Sequence, residues 1–229
     1  MKILGIGAHP DDIEIFMYGL LASCLKRGDD IFLGVATDGA AGQVLTNSNL
    51  KEKRALETFQ GLSNIAKPTL LSLPDGDLSN CKSAYFKIKD YIENVNPDFI
   101  ITHDEKDYHP DHRALSKIIS DIASFKYPVL YAETLMGLSF EPNYYVDITE
   151  HFSSKVEAIL CHKSQNPEKF VKAVEIMNRY RAAQCNAPDG FFSECYRINK
   201  TFPFGDVSAF IPNTQKFRPY YLNSSDSLL

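Results

Sequence analysis

Strands alternate with helices along most of this chain, and that alternation restricts the fold more than any other feature. Lys2 to Gly7 is an apolar run that passes at once into polar residues, as a buried strand entering a loop does. From Ile13 to Arg27 the apolar residues Ile13, Phe16, Met17, Leu20, Leu21, Cys24 and Leu25 recur at helical spacing, and Gly28 follows as a helix stop. Ile31 to Ala36 is a second apolar run, so the first 36 residues have the size of one βαβ unit. The pattern then repeats. Lys51–Leu62, Ser83–Val95 and Arg113–Ala123 read as helices; Thr69–Leu73, Phe99–Thr102 and Val129–Ala132 read as strands. Such alternation predicts an α/β fold, a Rossmann-like three-layer arrangement with a mostly parallel sheet, its strand C-termini aligned on one ligand-binding rim.

Beyond Pro142 the pattern loosens. Tyr144–Ile148 reads as one more strand, and His151–His162 and Glu168–Ala183 read as helices. The stretch from Asn186 onward reads as loop, ending in a frayed tail, NSSDSLL. No linker, low-complexity tract or solenoid repeat interrupts the 229 residues. A single domain is expected, with a core of about residues 1–140 and a C-terminal cap region of about 141–229 that sets specificity.

Composition removes several classes. A net charge of −5 argues against a protein that grips nucleic acid by bulk charge. No apolar run approaches the ~20 residues of a membrane span, and the N-terminus lacks a signal-peptide core, so a cytoplasmic location is expected. The five cysteines (Cys24, Cys81, Cys161, Cys185 and Cys195) are scattered without CxxC spacing, which disfavours a disulfide framework or a thiolate zinc site.

The sharpest local signal is a near-repeat. His9-Pro10-Asp11-Asp12 follows the first strand, and His109-Pro110-Asp111-His112 follows the strand at Phe99. Composition alone would give about 0.02 His-Pro-Asp triplets in such a chain. Both segments fall on the same rim, and they face each other if their strands are neighbours. His9 and Asp12 are three apart, as are His109 and His112; two imidazoles and a carboxylate form a common catalytic zinc set. The remaining Asp and His side chains could then move protons or face a developing oxyanion. The ordinary alternative is that Asp11 or Asp12, and Asp111, cap the helices that follow them. Gly5 and Gly7 begin a dinucleotide-binding pattern, but Pro10 stands where its third glycine belongs, and no P-loop exists.

GAHPDDIE (Gly7–Glu14) and HPDHRA (His109–Ala114) resemble the PIG-L/LmbE-like zinc-dependent de-N-acetylases. Supporting matches follow in order: Thr37-Asp38-Gly39, Arg54 with Glu57, Leu73-Pro74-Asp75-Gly76, Val146-Asp147-Ile148-Thr149, Lys155, and His162-Lys163-Ser164-Gln165. The resemblance implies His9, Asp12 and His112 as metal ligands for Zn2+, a set that also accepts Fe2+, Co2+ or Mn2+. It implies Asp11 as general base, His109 as the imidazole that polarises the acetamide or protonates the leaving amine, and Asp111 as the carboxylate that orients that imidazole. Arg54 is implied at the substrate, and His162 as a pocket-lining, substrate-binding residue. Asp38 is either a hydrogen-bond partner of a ligand or a turn former. His103 and His151 are expected to be structural, and Tyr144, Tyr145, Phe191 and Phe192 to pack in the core unless they stack on a sugar. The implied substrate is a small N-acetylated amino sugar of the N-acetylglucosamine type, and the implied partner beyond it is a second copy of the chain in a homo-oligomer. Two alternatives remain open: an amidase for another acyl group or sugar-conjugate amide, and a non-catalytic sugar-binding member.

Overall fold

A computed structural model describes residues 1–42 and 49–199. The expectations for the chain beyond Phe202, including the NSSDSLL tail, lie outside the described residues.

The strands are β1 (Lys2–Gly7), β2 (Asp30–Thr37), β3 (Thr69–Leu73), β4 (Phe99–His103), β5 (Val129–Ala132), β6 (Tyr144–Asp147) and β7 (Ser193–Ile198). The α-helices are α1 (Asp12–Phe16), α2 (Tyr18–Arg27), α3 (Leu50–Gly61), α4 (Ala84–Val95), α5 (Pro110–Ala123), α6 (Phe152–Leu160) and α7 (Glu168–Gln184). The seven strands form one sheet in the order β3-β2-β1-β4-β5-β7-β6. The first five are parallel, and β7 runs antiparallel to both β5 and β6.

Side chains alternate between two cores because successive strand residues face opposite sides of the sheet. Ile3, Leu33, Val35, Phe99 and Ile101 pack with α1, α2 and α6 residues on one face. Leu4, Ile6, Ala36, Ile100 and Tyr131 pack with α4 and α5 residues on the other. Both faces are thus covered, as a parallel sheet requires. The chain winds from β1 out through β2 to β3, then returns to the other side of β1 with β4. The strand order therefore reverses between β1 and β4, which pair directly. Ligands bind at such a reversal in doubly wound sheets. The two His-Pro-Asp segments follow these two neighbouring strands and face each other, the outcome expected if the strands paired.

The structure departs from the sequence reading at three points. The helix expected over Ile13–Arg27 is broken at Met17 (φ −134°, ψ −7°) into α1 and α2. The free N–H groups at the buried start of α2 are taken up by Glu194, which accepts those of Gly19 (2.9 Å) and Leu20 (2.8 Å). An anion at a helix N-terminus is favoured by the dipole. The helix expected at Arg113 begins earlier, at Pro110, with the His109 ring accepting the Asp111 N–H as its cap. Finally, Ser193–Ile198, read as loop, is a strand inserted between β5 and β6. Its buried Glu194 hides the apolar pattern; the carboxylate is balanced by Lys155 Nζ at 2.8 Å and the Tyr196 hydroxyl at 2.6 Å.

A candidate metal centre at the β1–β4 rim

Two ring nitrogens and both oxygens of one carboxylate converge where β1 and β4 end. His9 Nδ1 lies 3.2 Å from His112 Nε2 and 3.3 Å from Asp12 Oδ2, and His112 Nε2 lies 3.2 Å from Asp12 Oδ1. Local structure fixes each of them. The His9 backbone N–H donates to Asp12 Oδ2 at 2.7 Å, closing the loop into the first turn of α1. His112 sits in the first turn of α5, behind Pro110. All three residues are buried.

Other side chains hold the donors in place. His9 Nε2 faces Asp75 Oδ1 at 3.2 Å and Asp111 Oδ2 at 3.3 Å. A hydrogen on Nε2 leaves Nδ1 as the free ligand atom, the usual arrangement for a metal-binding imidazole. Asp107 Oδ2 stands 3.1 Å from His112 Nδ1, an ion-pair distance without hydrogen-bond geometry. His103 approaches Asp12 Oδ2 at 3.0 Å and stacks on His112 with ring centroids 3.7 Å apart.

The donor set suits a divalent cation. In a tetrahedral site with bonds of about 2.0–2.1 Å, ligand atoms lie about 3.3–3.4 Å apart, close to the spacing seen here. The charges agree. Burial would depress the His9 imidazole, yet Asp111, Asp12 and Asp75 outweigh it and push it up to about 12. Burial likewise opposes protonation of His112, but Asp12 and Asp107 push it to about 9. Carboxylates that hold protons on imidazoles this firmly are positioned to hold a cation in their stead.

The donors open onto a cavity of about 260 Å³. Asp11 and His109 border it, as do Ile15, Phe16 and Phe170 on an apolar side. Asp11 adopts φ 111° at the start of α1, where it makes no side-chain cap bond, so the capping role open to it is not filled. Burial raises its carboxyl to about 6, against the opposing charge of Arg54, whose Nη2 is 3.2 Å away. His109 is lowered below the ordinary imidazole value by burial and by His9 and His112.

Several expected residues are placed differently. The Asp111 carboxylate meets His9 rather than His109, and it also accepts the N–H groups of Gly76 (2.7 Å) and Leu78 (3.1 Å). His162 lies behind the cavity wall, 1% exposed, with Nε2 bonded to Glu14 Oε1 at 2.7 Å. Asp38 accepts the Ala40 N–H at 3.1 Å and pairs with Lys51 at 3.3 Å, so it shapes its turn. Tyr144 and Phe192 pack against the core, and the Phe192 ring stacks on Phe152. Three contributors escape sequence reasoning. Asp75 and Asp107 carry no motif of their own beyond the LPDG match, and His103 is simply the last residue of a strand. Its place at the C-terminal end of β4 was the available signal.

Residues 4–123 match the PIG-L family, described as GlcNAc-PI de-N-acetylase, over more than half of the chain. The chain belongs to this family. A diacetylchitobiose deacetylase from Thermococcus kodakarensis is 26% identical over 192 residues, covering 73% of this chain and 71% of its own. Among solved structures, the N,N'-diacetylchitobiose deacetylase from Pyrococcus horikoshii aligns with TM-score 0.76 at 22% identity, covering 90% of this chain and 88% of that one. GalB, a 4-carboxy-2-hydroxymuconate hydratase from Pseudomonas putida, aligns with TM-score 0.77 at 20% identity, covering 90% and 98%. A deacetylase and a hydratase thus share this fold, so the fold alone does not choose the reaction. Among the described residues no helix is long and apolar enough to cross a membrane.

Proposed function

We propose that this chain is a metal-dependent deacetylase that removes the acetyl group from a small N-acetylated amino sugar of the N-acetylglucosamine type, with zinc as the metal. The observation that carries the reading is the His9–Asp12–His112 donor triangle with Asp11 beside it on one cavity. Membership in the PIG-L family and the deacetylase relatives support the amide and the sugar.

His9 Nδ1, His112 Nε2 and the Asp12 carboxylate would hold the ion. Bound there, it supplies Lewis acidity and lowers the pKa of water towards ~7. Asp11 takes the proton from the attacking water. Its carboxyl, raised to about 6 by burial, is ionised at neutral pH yet basic enough to accept that proton. His109 Nδ1 is occupied by the Asp111 N–H, so its neutral ring carries its hydrogen on Nε2. That hydrogen is the donor for the developing oxyanion, an interaction of about 3 kcal/mol. Asp11 then returns its proton to the leaving amine. The apolar side of the cavity, at Phe16 and Phe170, packs against the sugar face and the acetyl methyl.

The test is acetate release from free and conjugated N-acetylglucosamine by metal-loaded protein. Asp11→Asn should retain the metal and lose about 10²–10⁴ in kcat. Acetate release that persists in this variant would remove Asp11 from its role. Failure on every N-acetylated sugar, with the metal bound, would reject the substrate class.

A further inference from the structure

The resemblance to known deacetylases puts Arg54 at the substrate, and it borders the cavity, but its hydrogen bonds are internal. The side chain reaches from α3 to three separate places. Nη1 donates to Gly39 O at 3.1 Å, and Nη2 donates to Pro10 O at 2.6 Å and to Asp11 Oδ2 at 3.2 Å. A guanidinium grips an anion through two parallel N–H groups. Both of its forked edges, Nε with Nη2 and Nη1 with Nη2, run through Nη2, and both Nη2 hydrogens are taken. The residue is only 3% exposed, and Nε is buried without a hydrogen-bond partner among the described residues. No two-pronged clamp is left for a substrate carboxylate or phosphate.

What the contacts do hold is a strained segment. Asp11 has φ 111° and ψ −23°, a backbone state that side-chain-bearing residues adopt rarely and that persists only where the surroundings impose it. Pro10, just before it, has a fixed φ of its own. Arg54 binds the carbonyl on one side of the strained residue and the carboxylate projecting from it, and ties both to the β2–α3 loop through Gly39. The helix that carries Arg54 is anchored in turn: Glu57 accepts the backbone N–H and hydroxyl of Ser164 at 2.9 and 2.5 Å.

We propose that Arg54 is a positioning residue that holds Asp11 in its strained, base-competent geometry, and that it does not grip substrate. The proposal rests on the reading of Asp11 as the base. A lysine cannot replace Arg54 in this role: its ammonium is a compact point charge, and the three acceptors surround a planar fork. A second perturbation leaves Arg54 in place. Gly42 is exposed at the cavity edge, and a Cβ built on it would lie 2.5 Å from Arg54 Nη1, so Gly42→Ala crowds the guanidinium while preserving its charge.

The experiment compares wild type, Arg54→Lys, Arg54→Met and Gly42→Ala, metal-loaded, on the N-acetylglucosamine donor with the highest turnover. Displacement of a reacting group by about 1 Å costs about 100-fold. Both Arg54 variants should therefore lose about 100-fold in kcat with KM changed by less than about threefold, and Gly42→Ala about 10-fold or more with an unaltered melting temperature. A KM raised about 10-fold or more with kcat retained would identify a substrate-gripping arginine and overturn the proposal. So would an Arg54→Lys enzyme with wild-type kcat, because charge alone would then suffice. The second readout needs no substrate. In metal-free protein, amide hydrogen exchange over residues 8–14 should accelerate in Arg54→Met and Gly42→Ala while α5 is unchanged; exchange equal to wild type in both overturns the proposal. Should the wild type deacetylate nothing, the functional reading fails and the exchange experiment still decides the role of Arg54.

Discussion

Loading the metal centre should release a proton, and that release tests the ligand assignment. In the metal-free site the imidazole of His9 is pushed up to about 12 and that of His112 to about 9, in each case because carboxylates outweigh burial. His9 Nδ1 and His112 Nε2 face each other at 3.2 Å, a gap that takes one hydrogen, so at neutral pH the pair carries one proton beyond two neutral rings. Asp12 is held well below the usual carboxylate range: burial opposes this, but His112 and His103 prevail. A cation bound by His9 Nδ1, His112 Nε2 and Asp12 must displace that proton. The sign follows directly: protons compete with metal, so affinity rises with pH, and the gain ends as pH passes the folded pKa values. One proton corresponds to about 10-fold in Kd per pH unit, or ~1.4 kcal/mol. Titration calorimetry with Zn2+ or Co2+ near pH 7, in buffers of differing protonation enthalpy, reads the number. His103→Gln should still release about one proton, because burial and the neighbouring His112 keep the His103 ring neutral. Release of no protons by the wild type would refute the assignment.

Three further outcomes are expected. His103→Gln should weaken metal binding by about 10- to 100-fold through loss of a partner of Asp12, measurable by competition with a chelating dye; unchanged affinity would make His103 a packing residue only. A Cβ on Gly19 would lie 2.3 Å from Ile148 Cγ2 and 2.6 Å from Ile148 Cβ. Gly19→Ala should therefore cost about 1–3 kcal/mol by overpacking and lower the melting temperature by roughly 2–12 °C, and an unchanged melting curve would contradict the packing described. Lys155→Met leaves the Glu194 carboxylate buried without its cation, a loss of about 3–5 kcal/mol by urea unfolding; a cost under about 1 kcal/mol would mean that Tyr196 and the start of α2 suffice to hold Glu194.

The five parallel strands were legible because a strand buried on both faces is an unbroken apolar run, as at Ile100 and Ile101. The metal-binding triad was legible because its members lie three apart within two motifs that end neighbouring strands. What could not be read depends on residues distant in sequence. The break at Met17 exists because Glu194, far along the chain, meets the N–H groups of α2. β7 escaped because that same glutamate interrupts the apolar pattern that would mark a strand. His162 shares its motif with Ser164 and Gln165, and nothing in the spacing says that its ring turns inward to Glu14.

Two clusters of buried charge, one in the scaffold and one at the site, differ in kind. Glu194 is complete within the protein: Oε1 accepts from Gly19 and Lys155, and Oε2 accepts from Leu20 and Tyr196, so each oxygen has two donors. Such a group holds the fold together and asks for nothing more. Around His9 the arrangement is of the opposite kind. Two ring nitrogens approach to 3.2 Å with a carboxylate touching both, and Asp75, Asp107 and Asp111 press on the rings from behind. Lone pairs crowded this closely repel unless a positive charge lies between them, and the proton between the rings meets only one edge of the cluster. A folded chain keeps such a cluster in place because the surrounding sheet and helices over-determine it. This convergence, more than any single histidine, is what points to a metal.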